Sequence, residues 1–227
     1  MARAIPERWS QLWARRPEAR ALSVEGSEES WLRAEQLDAR TRGAAGALAT
    51  LGVSRGDRVC WQADTTIAAV VAALGVLRLG AVLVPLSPGQ SDRERRTVLD
   101  DVEPSLLLAP NDPARSGDGG VVDPASLCGD ETSEVAADLS VDELALVIYT
   151  SGTTGRPKGA MLTHGNLAAG LDALIEGWEL DPDDQLVSAL PLFHVHGLVA
   201  ALLGVLSAGG AVELHARFDA DSYLDAA

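Results

Sequence analysis

The chain has 227 residues, 47% of them hydrophobic and only 4% aromatic, with a formal net charge of -15. That composition supports a core built mainly from Ala, Val and Leu, in one large domain or two small ones. The acidic balance excludes a nucleic-acid binder, because no basic stripe faces a phosphate backbone, and it is read as a solubility feature.

Residues 5–16 have the spacing of an amphipathic helix, with Trp9, Leu12 and Trp13 at i, i+3 and i+4 as core residues rather than a ligand stack. Arg3, Glu7 and Arg8 interrupt any signal-peptide run, and no stretch reaches about 18 uncharged apolar residues, so no membrane span is expected. Residues 21–25 and 30–32 form a hairpin around Gly26, followed by a helix over 34–51 that stops at Gly52. Strands at 58–62, 81–85 and 105–109 alternate with helices at 65–79 and 92–101, the rhythm of βαβ units on a mostly parallel sheet. Cys60 falls in the first of these strands as a core residue. Residues 110–138, rich in Gly, Pro, Ser and Asp, read as an acidic surface loop with one short strand at 120–122. Cys128 is a loop thiol there. The two cysteines have no metal-ligand spacing and are expected unpaired, in a chain of cytoplasmic character.

An apolar strand at 144–148 leads into Tyr149-Thr150-Ser151-Gly152-Thr153-Thr154-Gly155-Arg156-Pro157-Lys158-Gly159. Here the side chains shrink to hydroxyls and hydrogens. Gly152 and Gly155 permit close backbone approach, and Ser151, Thr153 and Thr154 supply donors for an anion-binding concavity. Lys158 is the chain's one lysine among 18 Lys plus Arg. A compact, rotatable ammonium suits a mobile phosphate better than a planar guanidinium does. The plain alternative is a flexible turn with a solvated lysine. A P-loop is a poor match: Gly159 stands where the magnesium-binding hydroxyl belongs, and residues 160–163 continue as a strand, so the loop belongs to a hairpin-like turn.

A helix over 164–177 follows, capped by Thr163 with Asn166 in its first turn and a structural His164. A strand at 185–189, a glycine-interrupted apolar helix at 195–206, a strand at 211–215 and the start of a helix at 218 complete the pattern. Between them lies Leu190-Pro191-Leu192-Phe193-His194-Val195-His196-Gly197-Leu198. His194 and His196 have no nearby third ligand, which argues against zinc. Either both are buried and satisfy backbone carbonyls, or His194 lies at the carboxyl end of a strand, where open α/β sheets bind ligands.

The run from Tyr149 to Gly159, continued by Leu162-Thr163-His164-Gly165-Asn166-Leu167, resembles the signature of adenylate-forming (AMP-binding) enzymes, and the His194 motif lies at that family's spacing. Phe-His-x-His-Gly is similar to the malonyl-CoA synthetase subset. The resemblance implies the N-terminal subdomains of that α/β fold and a two-step ligation: a carboxylate attacks the α-phosphorus of ATP, and a thiol, usually coenzyme A, displaces AMP. It implies that Thr150, Ser151, Gly152, Thr153, Thr154, Gly155 and Lys158 hold the leaving diphosphate, with Lys158 and His194 catalytic. His194 and His196 would contact the acid, a malonate-like short dicarboxylate. Fatty or aryl acids remain the alternative, as does a non-catalytic nucleotide-binding or assembly module.

The family's adenine and Mg2+ segment, its ribose-binding Asp and its C-terminal catalytic lysine have no match in the 227 residues. The chain is therefore expected to be the N-terminal portion of a longer ligase, inactive alone and able to self-associate through the face left bare.

Overall fold

The computed structural model describes residues 3–110, 120–127, 138–150 and 158–226. In chain order the elements are α1 (Ile5–Arg15), β1 (Arg20–Val24), β2 (Leu32–Arg33), α2 (Ala34–Thr50), β3 (Arg58–Gln62), α3 (Ile67–Leu79), β4 (Val82–Leu86), α4 (Asp92–Val102), β5 (Leu106–Leu108) and β6 (Val121–Val122). A short 3₁₀ turn, Pro124–Leu127, precedes β7 (Leu144–Thr150) and β8 (Lys158–Thr163). Then come α5 (His164–Gly177), β9 (Gln185–Ser188), a π-helix (His196–Gly204), α6 (Val205–Ala208), β10 (Ala211–Leu214) and α7 (Ala220–Ala226). The alternating α/β order read from the sequence is therefore the order of the chain.

The strands form two sheets rather than one. The first runs β2-β1-β10-β9 and the second β6-β5-β3-β4-β7-β8. Every described pairing is parallel except β1–β2 and β7–β8, so each sheet carries one antiparallel strand at its edge. β4 is buried along its whole length, which is why it reads as a continuous apolar run instead of an alternating one. The same reasoning applies to α3, which has buried residues all round and is packed into the larger core together with α2 and both sheets. The Thr66 hydroxyl caps α3 by accepting from the Ala69 amide at 3.1 Å. A second, smaller core lies on the α4 side of the six-stranded sheet and contains Cys60. Burial pushes that thiol up to about 12.

Within the predicted loop, the described residues 120–127 are partly built into the fold. β6 extends the sheet beside β5, and Leu127 is only 2% exposed in the core. Cys128 lies outside the described residues. No helix among the described residues is long and apolar enough to cross a membrane.

Where α1, α2 and α3 meet, one charged side chain is buried. Arg78 donates to Thr41 Oγ1 at 2.7 Å, to Ser10 Oγ at 2.9 Å and to Asp38 Oδ1 at 2.5 Å. Its guanidinium lies 5.4 Å from the ring centroid of Trp13, which stacks on Trp9 at 5.6 Å. Asp38 also pairs with Arg42. The two tryptophans are core residues, as their spacing predicts. At the start of α5, the His164 amide donates to Glu143 O at 2.9 Å and the Gly165 amide to Val141 O at 2.7 Å, which satisfies two otherwise orphaned donors. The His164 ring is fully buried, and neither ring nitrogen has a hydrogen-bond partner among the described residues. Burial lowers its basicity, opposed by Glu143 and reinforced by Arg55.

Asp38→Ala leaves the buried guanidinium without its counter-charge and is expected to cost about 3–5 kcal/mol in denaturant unfolding, more than Arg78→Met, which leaves Asp38 paired with Arg42. His164 must stay neutral in the fold, so its contribution is intact above the ordinary imidazole value of 6.5 and falls as pH drops below it. Between pH 7.5 and 5.5, the melting temperature of the parent should fall further than that of His164→Leu.

Candidate functional site

β7 and β8 form the stem of the glycine- and hydroxyl-rich turn. Their register pairs Ile148 with Ala160, Tyr149 with Gly159 and Thr150 with Lys158. Between Leu144 and Leu146 the register slips by one: two residues of β7 advance while β8 advances once, from Thr163 to Leu162. This bulge resets the alternation of side chains. Ala145 and Leu146 both join the larger core, and Val147 and Tyr149 then face the smaller core on the α4 side. Thr150 and Lys158, one step along from the Tyr149–Gly159 pair, lie on the opposite face.

Lys158 is exposed and makes no ion pair with any described residue. Beside it, the Thr150 hydroxyl reaches Lys158 O at 3.5 Å. An exposed ammonium at the mouth of such a stem fits a polyanionic ligand. Ser151, Gly152, Thr153, Thr154 and Gly155 lie outside the described residues. Gly159 has a structural duty: a Cβ there would lie 2.8 Å from Val147 Cγ1 and 3.3 Å from Tyr149 Cζ. The Tyr149 ring thus rests over bare backbone, and its hydroxyl donates to the Asp101 carboxylate on α4. Burial, and next the bond to Asp101, push its phenol well above the ordinary range.

The second motif departs from both sequence readings. His194 is not at a strand terminus: β9 ends at Ser188, and His194 lies in the turn that opens the π-helix. Nor are the two imidazoles buried, since His194 and His196 are both exposed. The turn is tight because the chain doubles back onto Gly197, where a Cβ would lie 2.3 Å from Pro191 O. The His194 amide donates to Pro191 O at 3.2 Å, and its ring tilts against Phe193 at 4.2 Å.

His196 points elsewhere. It lines a cavity of about 460 Å³ with Trp178, Leu190, Ala200, Phe218 and Tyr223, and His194 is not among the lining residues. Tyr223 fixes one wall by donating to Val187 O at 2.6 Å. In a chain with so few aromatic residues, three in one cavity was a signal that composition did carry. Trp178 lies far along the chain from Phe218 and Tyr223, so sequence alone does not bring the three together. Sequence reading also passed over Asp101 and Tyr149, whose meeting depends on the bulge. Among the described residues there is no group of three or more His, Cys, Asp or Glu that could hold a metal ion.

Comparison with known proteins gives the family context. Over 232 residues the chain is 35% identical to the oxalate–CoA ligase of Arabidopsis thaliana, covering 91% of this chain and 44% of that protein. It is 34% identical over 202 residues to the indoleacetate–CoA ligase of Aromatoleum aromaticum, covering 80% of this chain and 40% of that one. The ATP-bound crystal structure of MatB from Rhodopseudomonas palustris superposes with a TM-score of 0.85 at 30% identity, covering 97% of this chain and 47% of MatB. The chain thus spans a little under half the length of these relatives. The pattern of the AMP-binding enzymes matches residues 9–226, nearly end to end, and with the α/β fold and the lysine-tipped hairpin this establishes that the chain belongs to the AMP-binding enzyme family.

Proposed function

We propose that the protein carrying this chain is an ATP-dependent acid–thiol ligase that converts a carboxylic acid to an acyl-adenylate and then to a CoA thioester. The observation that carries the reading is the β7–β8 stem, which sets the chain's one lysine, exposed and without an ion pair among the described residues, opposite Thr150 at the end of a hydroxyl-rich turn. The relatives named above as CoA ligases and the ATP-bound MatB support the same reading.

In this reading Lys158, Thr150 and the run Ser151, Gly152, Thr153, Thr154 and Gly155 hold the β- and γ-phosphates as the leaving diphosphate gains charge. The protein's part in such a displacement is positioning and charge neutralisation, with no covalent step on the enzyme. His194 stands by the carboxylate of the acid. CoA is the thiol, and most of the Mg2+ site is supplied by residues beyond those described.

The acid is proposed to be a short dicarboxylate, oxalate- or malonate-like, with His196 neutralising its distal charge. One observation favours a second reading, an aryl or fatty acid: the walls around His196 are Trp178, Leu186, Ala200, Ala201 and Phe218, an apolar surface.

Acid-dependent ATP–pyrophosphate exchange by the protein as the gene encodes it tests the activity, and absence of exchange with every acid class would overturn it. Lys158→Met is expected to lower kcat for exchange by about a hundredfold while the KM for ATP changes little, because the charge it meets grows in the transition state. His196→Ala should raise the KM for malonate or oxalate about tenfold and leave that for a medium-chain fatty acid within about twofold. Equal effects on both acids would favour the apolar reading.

A further inference from the structure

We infer that Tyr149 and Asp101 are positioning residues that anchor the stem of the phosphate-binding hairpin to α4 and so hold Lys158 in register. The inference rests on the proposed ligase reading for its catalytic consequence, but the anchor itself stands on geometry.

β8 is an edge strand, and its first four residues are exposed. A strand in that situation is prone to fraying and slippage. Slippage by a single residue would move Lys158 to the other face of the sheet. The structure resists this at the position next to Lys158. Gly159 has no side chain, so the Tyr149 ring covers its backbone, with Val147 beside it. A residue with a Cβ, brought opposite Tyr149 by a slip, would clash with Val147 and crowd the Tyr149 ring. The ring is in turn fixed at its far end, where the hydroxyl donates to Asp101 in the last turn of α4. α4 is itself seated on the sheet through Val98 and Val102, which belong to the same small core as Val147. The chain of contact therefore runs from the sheet core, through α4 and Asp101, to the phenol, and from the phenol to the backbone beside Lys158.

The division of faces matters. Tyr149 stands on the α4 side, whereas Thr150 and Lys158 stand on the other. The anchor holds the stem without occupying the space in which a polyphosphate would lie. The hydrogen bond ends on a carboxylate, so it belongs to the stronger class, and its partner ring is half-buried rather than free in water.

The test uses Tyr149→Phe, which removes one hydroxyl and keeps the ring, together with Asp101→Ala, Asp101→Asn and the double variant Tyr149→Phe/Asp101→Ala. Amide hydrogen exchange is read at whichever of the Lys158 and Gly159 amides donates to β7, since only alternate amides of an antiparallel edge strand do. Both single variants are expected to speed exchange there by about tenfold, the double variant no more than either, and Asp101→Asn, which keeps an acceptor oxygen, by less than Asp101→Ala. Unchanged exchange at that amide, or additive effects in the double variant, would overturn the anchor. In ATP–pyrophosphate exchange by the protein as the gene encodes it, the single variants should lower kcat about tenfold with the KM for the acid unaltered. Faster amide exchange with unaltered kcat would overturn the positioning role. If the parent shows no pyrophosphate exchange at all, the ligase reading fails, and the amide data still decide the anchor.

Discussion

The site depends on β7 being paired on both sides. Toward the interior it lies parallel to β4, in register Leu83 with Leu146, and toward the edge it lies antiparallel to β8. The first pairing holds it rigidly in the core, and the second carries the turn and its lysine. Period-two alternation means that one inserted residue decides which side chains reach which face. The bulge between Leu144 and Leu146 makes that decision: it keeps Ala145 and Leu146 in the large core, then turns Val147 and Tyr149 to α4 and Thr150 to the opposite side. A straight strand with the same sequence would reverse the facing of every residue after the bulge. Bulges recur beside active sites for this reason, since they re-aim a side chain at little cost to the rest of the ladder.

Behind the stem, the core solves a packing problem set by composition. With few aromatic rings available, bulk is supplied by a helix buried on all sides, α3, wedged among α2 and both sheets. A helix so placed leaves no solvent face for a charge, yet it contains Arg78. The guanidinium is tolerated because Asp38, Thr41 and Ser10 accept from it and Trp13 covers it. These partners come from α1 and α2, so the cluster fixes how the N-terminal helices sit against the body that holds the hairpin. A buried charge of this kind is poor evidence of added stability, but it makes one arrangement of three helices much better than its neighbours.

Local pattern made most of the elements legible. The strand over residues 58–62 and the helix over 164–177 coincide with β3 and α5, because Gly56-Asp57 and Thr163 punctuate the chain there with turn and cap chemistry. What failed was whatever depends on distant partners. Nothing local in Leu22 announces that it will pair with Val212, so the separate four-stranded sheet was invisible. The π-helix is not distinguishable from an ordinary helix in the sequence, because apolar content does not separate a five-residue ladder from a four-residue one. The exposure of His194 and His196 was likewise unreadable. Burial is a property of the neighbours, and those of His196 include Trp178, Phe218 and Tyr223, which are distant in sequence.

The same distinction separates the two ends of the proposed reaction. The nucleotide end is carried by contiguous sequence, a strand, a turn and a strand, so a short motif contains most of its physics. The proposed acid end is drawn from β9, the π-helix and the α7 region, whose residues Ser188, His196, Phe218 and Tyr223 are brought together by the tertiary fold. A motif can therefore be shared across ligases for very different acids while the cavity diverges. In this chain the cavity presents one imidazole among apolar and aromatic walls. A distal carboxylate placed there would meet a single positive partner at most, and losing water without full pairing is costly for a charge. For a dicarboxylate to be preferred, further polar groups must reach that cavity from residues outside those described. An aryl acid requires none, because the apolar walls already supply most of its burial energy.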